Sequence, residues 1–187
     1  MEPDHKLAAR VCNGEREAFA QLVDRYRGRI FHTTLRLLKS REDAEEAAQD
    51  TFLRAYRGLP NFRKEASFST WIYKICYNVC LSYLARKKAK HAVLEEDQFN
   101  LPASETPDKL FENREFEQLL SGALAELPVI YRSVLVLYHT QHLSYQEIAE
   151  ITGQPMNSVK THLFRGRALL RQRILEMQPE EAWLAND

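Results

Sequence analysis

The stretch from Leu143 to Arg173, LSYQEIAEITGQPMNSVKTHLFRGRALLRQR, constrains the fold more than any other part of the chain. Ser144 is a good N-cap, and Glu147 three residues later completes a capping box. Ile148, Ala149 and Ile151 then give one short apolar face. Gly153 can adopt the left-handed conformation that ends a helix, and Pro155 cannot continue the old one. A second helix follows, with Val159, Leu163, Leu169, Leu170 and Ile174 on its inward side. Its other side carries Lys160, Thr161, His162, Arg165, Arg167 and Arg171. The pattern predicts a helix-turn-helix whose second, basic helix suits a DNA major groove.

Charge extends this reading. The 187 residues carry a formal net charge of zero, but the charge is distributed in blocks. Residues 51–90 hold nine basic side chains and one acidic, residues 91–127 two basic and nine acidic, and residues 128–175 six basic and two acidic. The last twelve residues hold four acidic side chains and no basic one. Two basic blocks separated by an acidic one point to two surfaces for a polyanion. Cys12, Cys76 and Cys80 are too few for a disulfide framework and lack zinc-ligand spacing, so Cys76 and Cys80 read as small apolar residues on a helix. No apolar run approaches the roughly 18 residues of a membrane span, and no signal peptide is visible. The expectation is a cytoplasmic, reduced protein.

Helical periodicity dominates, with no strand pattern and no repeats. The spacing predicts helices over Asp4–Cys12, about Arg16–Leu38, Ser40–Leu59 with Asp43 at its third position, and about Ser69–Lys88. Pro60 and Asn61 break the third. Residues 91–110, with Pro102, Pro107 and many acids, read as a flexible linker. A helix over about Leu110–Leu124 and another from Pro128 to about His139 precede the helix-turn-helix. The expected fold is all-α, with two small helical domains at 1–90 and 111–175, the linker at 91–110 and an acidic tail at 176–187. Trp183 lies in that tail, which is read as unpacked.

Two constellations carry chemistry. In NFRKEASFSTWIYKICYNVCLSYLARKKAK, residues 61–90, the aromatics Phe62, Phe68, Trp71, Tyr73, Tyr77 and Tyr83 alternate with Arg63, Lys64, Lys74, Arg86, Lys87 and Lys88. Aromatic rings stack on unpaired bases while cations follow phosphates. Trp71, Ile75 and Val79 share one face and are expected in the core. The loop from Phe62 to Ser67 could wall a pocket for an extruded base, and the Asn78 amide could bond its edge. On the third helix, Asp43, Glu46, Asp50 and Arg54 recur at helical spacing. That stripe fits either solvated ion pairs or a partner-binding face anchored by Phe52. No nucleophile–base pair, metal-ligand motif or glycine-rich phosphate loop is visible, and His5, His32, His91, His139, His142 and His162 are scattered. No cofactor, metal or small-molecule substrate is expected, and the protein does not read as an enzyme.

Three blocks, DAEEAAQDTFLRAYRGL at 43–59, FSTWIYKICYNVCLSYLARKK at 68–88 and LSYQEIAEITGQPMNSVKTHLFRGRALLRQ at 143–172, resemble regions 2 and 4 of bacterial sigma factors. Their order, and the lack of other regions, resembles the extracytoplasmic-function (ECF) group. The resemblance implies a protein that binds core RNA polymerase at its clamp helices and flap, directs it to promoters and helps melt the duplex. Asp43, Glu46, Gln49, Asp50 and Phe52 then fall on the part that docks on polymerase. Phe62, Arg63, Lys64, Ser67, Lys74, Asn78 and Arg86 fall on the elements that hold the −10 element. Asn157, Ser158, Lys160, Thr161, His162, Phe164 and Arg165 fall on the helix that meets the −35 element. His162 departs from the arginine usual in many relatives, which leaves the −35 preference open. The acidic linker corresponds to the segment that threads through the polymerase. Such proteins are commonly restrained by an anti-sigma factor, often at the membrane. The alternative is a free-standing helix-turn-helix regulator, whose duplex binding alone would not need the aromatic-basic block.

Overall fold

The computed structural model describes residues 2–62, 66–93 and 111–177. Among these the chain forms helices without strands and divides into two compact units. Residues 94–110 of the expected linker and the tail from 178, with Trp183, lie outside the described residues.

The N-terminal unit is built on four α-helices, α1 Asp4–Cys12, α2 Arg16–Leu38, α3 Arg41–Gly58 and α4 Phe68–Val93. The first break falls at Asn13-Gly14, where Gly14 has φ +95°, a conformation that costs glycine little. α1 is clipped to α2 by Asp4, which pairs with Arg25 and accepts a 2.5 Å bond from the Tyr26 hydroxyl. α2 ends with Lys39 in the left-handed conformation. Ser40 then caps α3, its Oγ accepting the Asp43 N–H at 3.2 Å. Such a cap contributes about 1 kcal/mol.

α3 buries Ala44, Ala47, Ala48, Thr51 and Ala55. Small side chains along one stripe let α2 and α4 approach closely, and Thr34 of α2 donates to the Ala44 carbonyl at 2.9 Å. Near the end of α3, a Cβ added at Gly58 would lie 3.3 Å from the Trp71 ring. A single 3-10 turn, Leu59–Asn61, follows α3 and replaces the simple break expected at Pro60.

α4 corrects one expectation. Its inward face is Ile72, Cys76, Val79 and Cys80, with Phe68, Tyr73 and Tyr77 also buried. Trp71 and Ile75 are only half-buried. Tyr73 and Tyr77 are thus core residues and leave the set available for base stacking. The two cysteines behave as the small apolar residues expected. The Cys76 thiol is raised well above its usual range, first by its hydrogen bond with Cys80 and then by burial.

The C-terminal unit contains α5 Phe111–Glu126, α6 Val129–Leu135, a π-helical turn Val136–Thr140, α7 Tyr145–Thr152 and α8 Met156–Met177. Arg132 is buried and donates through Nη1 to the carbonyls of Ala125 at 2.9 Å and Leu127 at 3.3 Å. It thereby satisfies carbonyls at and just beyond the C-terminal end of α5. Burial pushes its guanidinium down to about 10. Gly166 lets α8 rest on α6: a Cβ there would stand 3.2 Å from Leu135 Cδ1 and 3.3 Å from Tyr131 Cβ. Among the described residues, no helix is long and apolar enough to cross a membrane, and no cluster of three potential metal ligands occurs.

Candidate nucleic-acid interfaces

The helix-turn-helix is locked by the capping box. The Glu147 carboxylate accepts the Ser144 N–H at 2.9 Å, while Ser144 Oγ accepts the Glu147 N–H at 3.3 Å. Gly153, at φ +68°, closes α7, and the Gln154 N–H returns to the Ala149 carbonyl at 3.1 Å. The Pro155 carbonyl then takes the N–H groups of Ser158 and Val159 at the start of α8. Val159, Leu163 and Gly166 are buried on one side of α8.

The opposite side presents Asn157, Lys160, Thr161, Phe164 and Arg165 to solvent, with Ser158 half-buried. Phe164 is 75% exposed, the most exposed of the large apolar side chains among the described residues. His162 does not join this row. It is half-buried, its Nδ1 lies 2.9 Å from Gln154 Oε1 in the turn, and its ring stands edge-on to Tyr131 at 5.6 Å. Its side chain braces the turn. Arg167 also turns away from the row. Its guanidinium covers the Tyr138 ring at 5.2 Å, and its Nε donates to His139 Nε2 at 3.2 Å. Partial burial and the Arg167 charge, with His142 beyond, hold His139 below its usual range. Tyr138, His139, His142, Leu143, Ser144 and Glu147 line a cavity of about 450 Å³ beside α7.

In the N-terminal unit, an aromatic cluster sits at the start of α4. Phe62 is half-buried, 5.0 Å from Trp71 and 6.0 Å from Phe68, and Phe68 lies 5.5 Å from Tyr26. Arg63 and Lys64 fall outside the described residues. Ser67 is already occupied as the cap of α4: its Oγ accepts the Thr70 N–H at 3.1 Å and lies 2.7 Å and 2.8 Å from the Ser69 and Thr70 hydroxyls. Lys74 and Asn78, one turn apart, are both exposed on α4. Arg86 lies farther around the helix, its guanidinium 4.3 Å over the Tyr83 ring. The structure therefore brings Phe62, Lys74 and Asn78 toward one end of α4 and leaves Arg86 with another group.

That second group lies along α3. Lys87 reaches Asp43 at 3.4 Å, and the Tyr83 hydroxyl donates to Glu46 at 3.2 Å. Asp50 pairs with Arg54 at 2.9 Å and Gln49 is exposed. Phe52 is half-buried and stands about two and a half turns from Asp43, hence on the other flank of α3. Between the flanks lie Leu53, 50% exposed, and Tyr56, 41% exposed, with Phe19 at 5.0 Å from Tyr56. Sequence reasoning missed Leu53 and Tyr56. Their position opposite the buried alanine stripe is the signal that could have found them, because an apolar residue there has no core to enter.

Comparison with known proteins fits this geometry. Residues 22–90 match the family model Sigma-70 region 2, and residues 117–170 match Sigma-70, region 4. The ECF RNA polymerase sigma-E factor of Haemophilus influenzae is 31% identical over 180 residues, covering 91% of this chain and 95% of that protein. The ECF RNA polymerase sigma factor SigW of Bacillus subtilis is 30% identical, covering 92% and 97%. Two solved structures share the fold. One is the sigma factor RpoE of Bartonella quintana in complex with the anti-sigma factor NepR, with TM-score 0.73, 20% identity, and 86% of this chain and 98% of that chain covered. The other is CnrH in complex with the cytosolic domain of CnrY, with TM-score 0.70, 24% identity, and coverage of 95% and 99%. The chain belongs to the sigma-70 family, in its extracytoplasmic-function group.

Proposed function

We propose that the protein is a promoter-specificity subunit of RNA polymerase. The observation that carries this reading is the pairing of two chemically different surfaces in one chain: a basic surface on α4 beside the half-buried rings of Phe62 and Trp71, and a polar row on a helix-turn-helix. A duplex reader needs only the second. Family membership adds the partner, core RNA polymerase, and gives no support to a free-standing regulator.

In this reading α3 docks on the clamp helices through Asp43, Glu46, Gln49, Asp50 and Phe52, with Leu53 and Tyr56 adding apolar area. Phe62, Arg63, Lys64, Lys74 and Asn78 form the −10 surface, with Ser67 shaping it as the cap of α4 and Arg86 adding charge farther along the helix. Lys74 follows the phosphates, Asn78 bonds an extruded base, and the ring cluster at Phe62 gives it a floor. Extrusion costs a few kcal/mol, and stacking returns about 1–3 kcal/mol per base. Asn157, Ser158, Lys160, Thr161, Phe164 and Arg165 read the −35 element from the major groove, with His162 setting the turn. The C-terminal unit also meets the polymerase flap. No catalytic group is required, because binding energy offsets the cost of opening DNA.

The same reading makes the protein cytoplasmic and controlled by an anti-sigma factor, including one held at the membrane; the fold shared with a sigma factor solved with its anti-sigma factor supports the anti-sigma control. The test is association of the fluorescently labelled full chain with purified core RNA polymerase. Saturable nanomolar binding, lost on competition with unlabelled chain, is expected. Absence of binding at micromolar polymerase contradicts the reading.

A further inference from the structure

α1 takes no part in the polymerase and DNA surfaces assigned above. Its Leu7 and Ala8 are buried, and it packs on α2 and on the Leu59–Asn61 turn. Its two ends, Asp4 and Cys12, lie about 12 Å apart along the helix. Each reaches the aromatic cluster at the start of α4 through one other residue.

At the N-terminal end, the Asp4 carboxylate pairs with Arg25 and accepts the Tyr26 hydroxyl at 2.5 Å. Burial, and then that bond to Asp4, holds the Tyr26 phenol well above its usual range, so it stays a donor. The Tyr26 ring is buried and lies 5.5 Å from the Phe68 ring. At the C-terminal end, the Cys12 thiol donates to the Leu59 carbonyl at 3.6 Å. The same carbonyl accepts the Phe62 N–H at 3.0 Å and so closes the turn that delivers Phe62. The Phe62 ring stands 5.0 Å from Trp71 and 6.0 Å from Phe68, and Phe68 stands 5.6 Å from Trp71. Phe62 and Trp71 are half-buried, while Phe68 is buried. Burial of Leu7 and Ala8 already anchors α1. The bonds from Asp4 and Cys12 add something different, since they end on the residues that set where the Phe68 and Phe62 rings stand.

We propose that α1 positions the floor on which an extruded −10 base stacks. Asp4 acts through Tyr26 on Phe68, and Cys12 acts through the Leu59 carbonyl on Phe62. Both are positioning residues and act on the base only through these rings. The inference rests on the base-capture reading above.

The test uses the full chain assembled with core RNA polymerase. The probes are fluorescent fork-junction DNAs from a start site that the wild type directs, with the −10 strand complete or carrying one abasic site at each −10 position in turn. The readout is the ratio of affinities, complete over abasic, at the position where the wild-type ratio is largest. Stacking of one base sets that ratio at about five- to hundredfold. A variant that merely folds less well weakens both probes alike and leaves the ratio unchanged. Tyr26→Phe keeps the ring and loses the bond to Asp4, and Cys12→Ala loses the donor to Leu59. Each is expected to lower the ratio about two- to threefold, and the double variant about fivefold. Cys12→Ser keeps a donor and is expected to hold the wild-type ratio. Wild-type ratios in Tyr26→Phe and in the double variant overturn the inference and leave α1 a brace of the fold alone. So does a Cys12→Ser ratio no higher than that of Cys12→Ala. A wild-type ratio near one at every position is a different result and counts against base capture itself.

Discussion

At the scale of single residues, exposure separates the side chains that hold the fold from those available to a partner. Asp50 belongs to the second group. Its pair with Arg54 is solvent-facing on one helix and contributes at most about 1 kcal/mol. Asp50→Arg is therefore expected to fold normally but to bind core polymerase at least about hundredfold more weakly, as loss of a central anchor does. Equal affinity in the labelled-chain titration would remove α3 from the docking surface. Phe164 is the corresponding test in the other unit. Phe164→Ala is expected to change stability by less than about 0.5 kcal/mol yet weaken −35 duplex binding several-fold; unaltered duplex affinity would contradict its placement. His139 adds a pH dependence. Its Nε2 accepts from Arg167 and its folded pKa is lowered, so the unfolded chain binds the proton more readily. The neutral form's stability is present above about pH 6.5 and is lost as pH falls below it. His139→Gln is thus expected to lower Tm at pH 7.5 and by less at pH 5; a gap independent of pH would contradict this. Which residue types matter was readable from the sequence, but their orientation was less so. His162 and Arg167 share α8 with Lys160 and Arg165, and only their neighbours Gln154, Tyr131, Tyr138 and His139 reveal that they lean onto the unit's own side chains.

At the scale of elements, the sequence was most readable where local chemistry decides the outcome. Asn13-Gly14, Ser40 with Asp43, and Ser144 with Glu147 each terminate or start a helix at the expected place, because caps act through hydrogen bonds only three residues long. The inward face of α4 was misread for the opposite reason. Its apolar and aromatic residues go nearly all the way round, so periodicity cannot choose between Trp71–Ile75–Val79 and Ile72–Cys76–Val79–Cys80. Packing against the alanine stripe of α3 and against α2 makes that choice. The π-helical turn at Val136–Thr140 left no local signal either. The capping box offers a sharp element-scale test. Ser144→Ala removes the side-chain acceptor for the Glu147 N–H and is expected to destabilise the protein by about 1 kcal/mol. It should also weaken −35 duplex binding, since α7 positions α8. A Ser144→Ala variant with wild-type thermal unfolding would contradict the role given to this cap.

At the scale of the whole molecule, a chain of zero net charge sets cationic surfaces on α2, α4 and α8 against acidic α3 and acidic segments between and after the units. Zero net charge therefore says nothing against a polyanion partner; the block pattern carries the information. Two of these surfaces were readable as runs of sequence. The basic run on α2 was not, because the acidic residues that precede it and those on α3 balance it in any broad count. The central claim is that these surfaces together select promoters for RNA polymerase. Its most direct measurement is start-site-resolved transcription of genomic fragments by core RNA polymerase, with and without the protein. Discrete start sites that appear only with the protein, sharing one −10 and one −35 element, are the predicted result. Transcripts indistinguishable from core polymerase alone, with the protein still shifting specific duplexes, would contradict the account and point to a free-standing regulator.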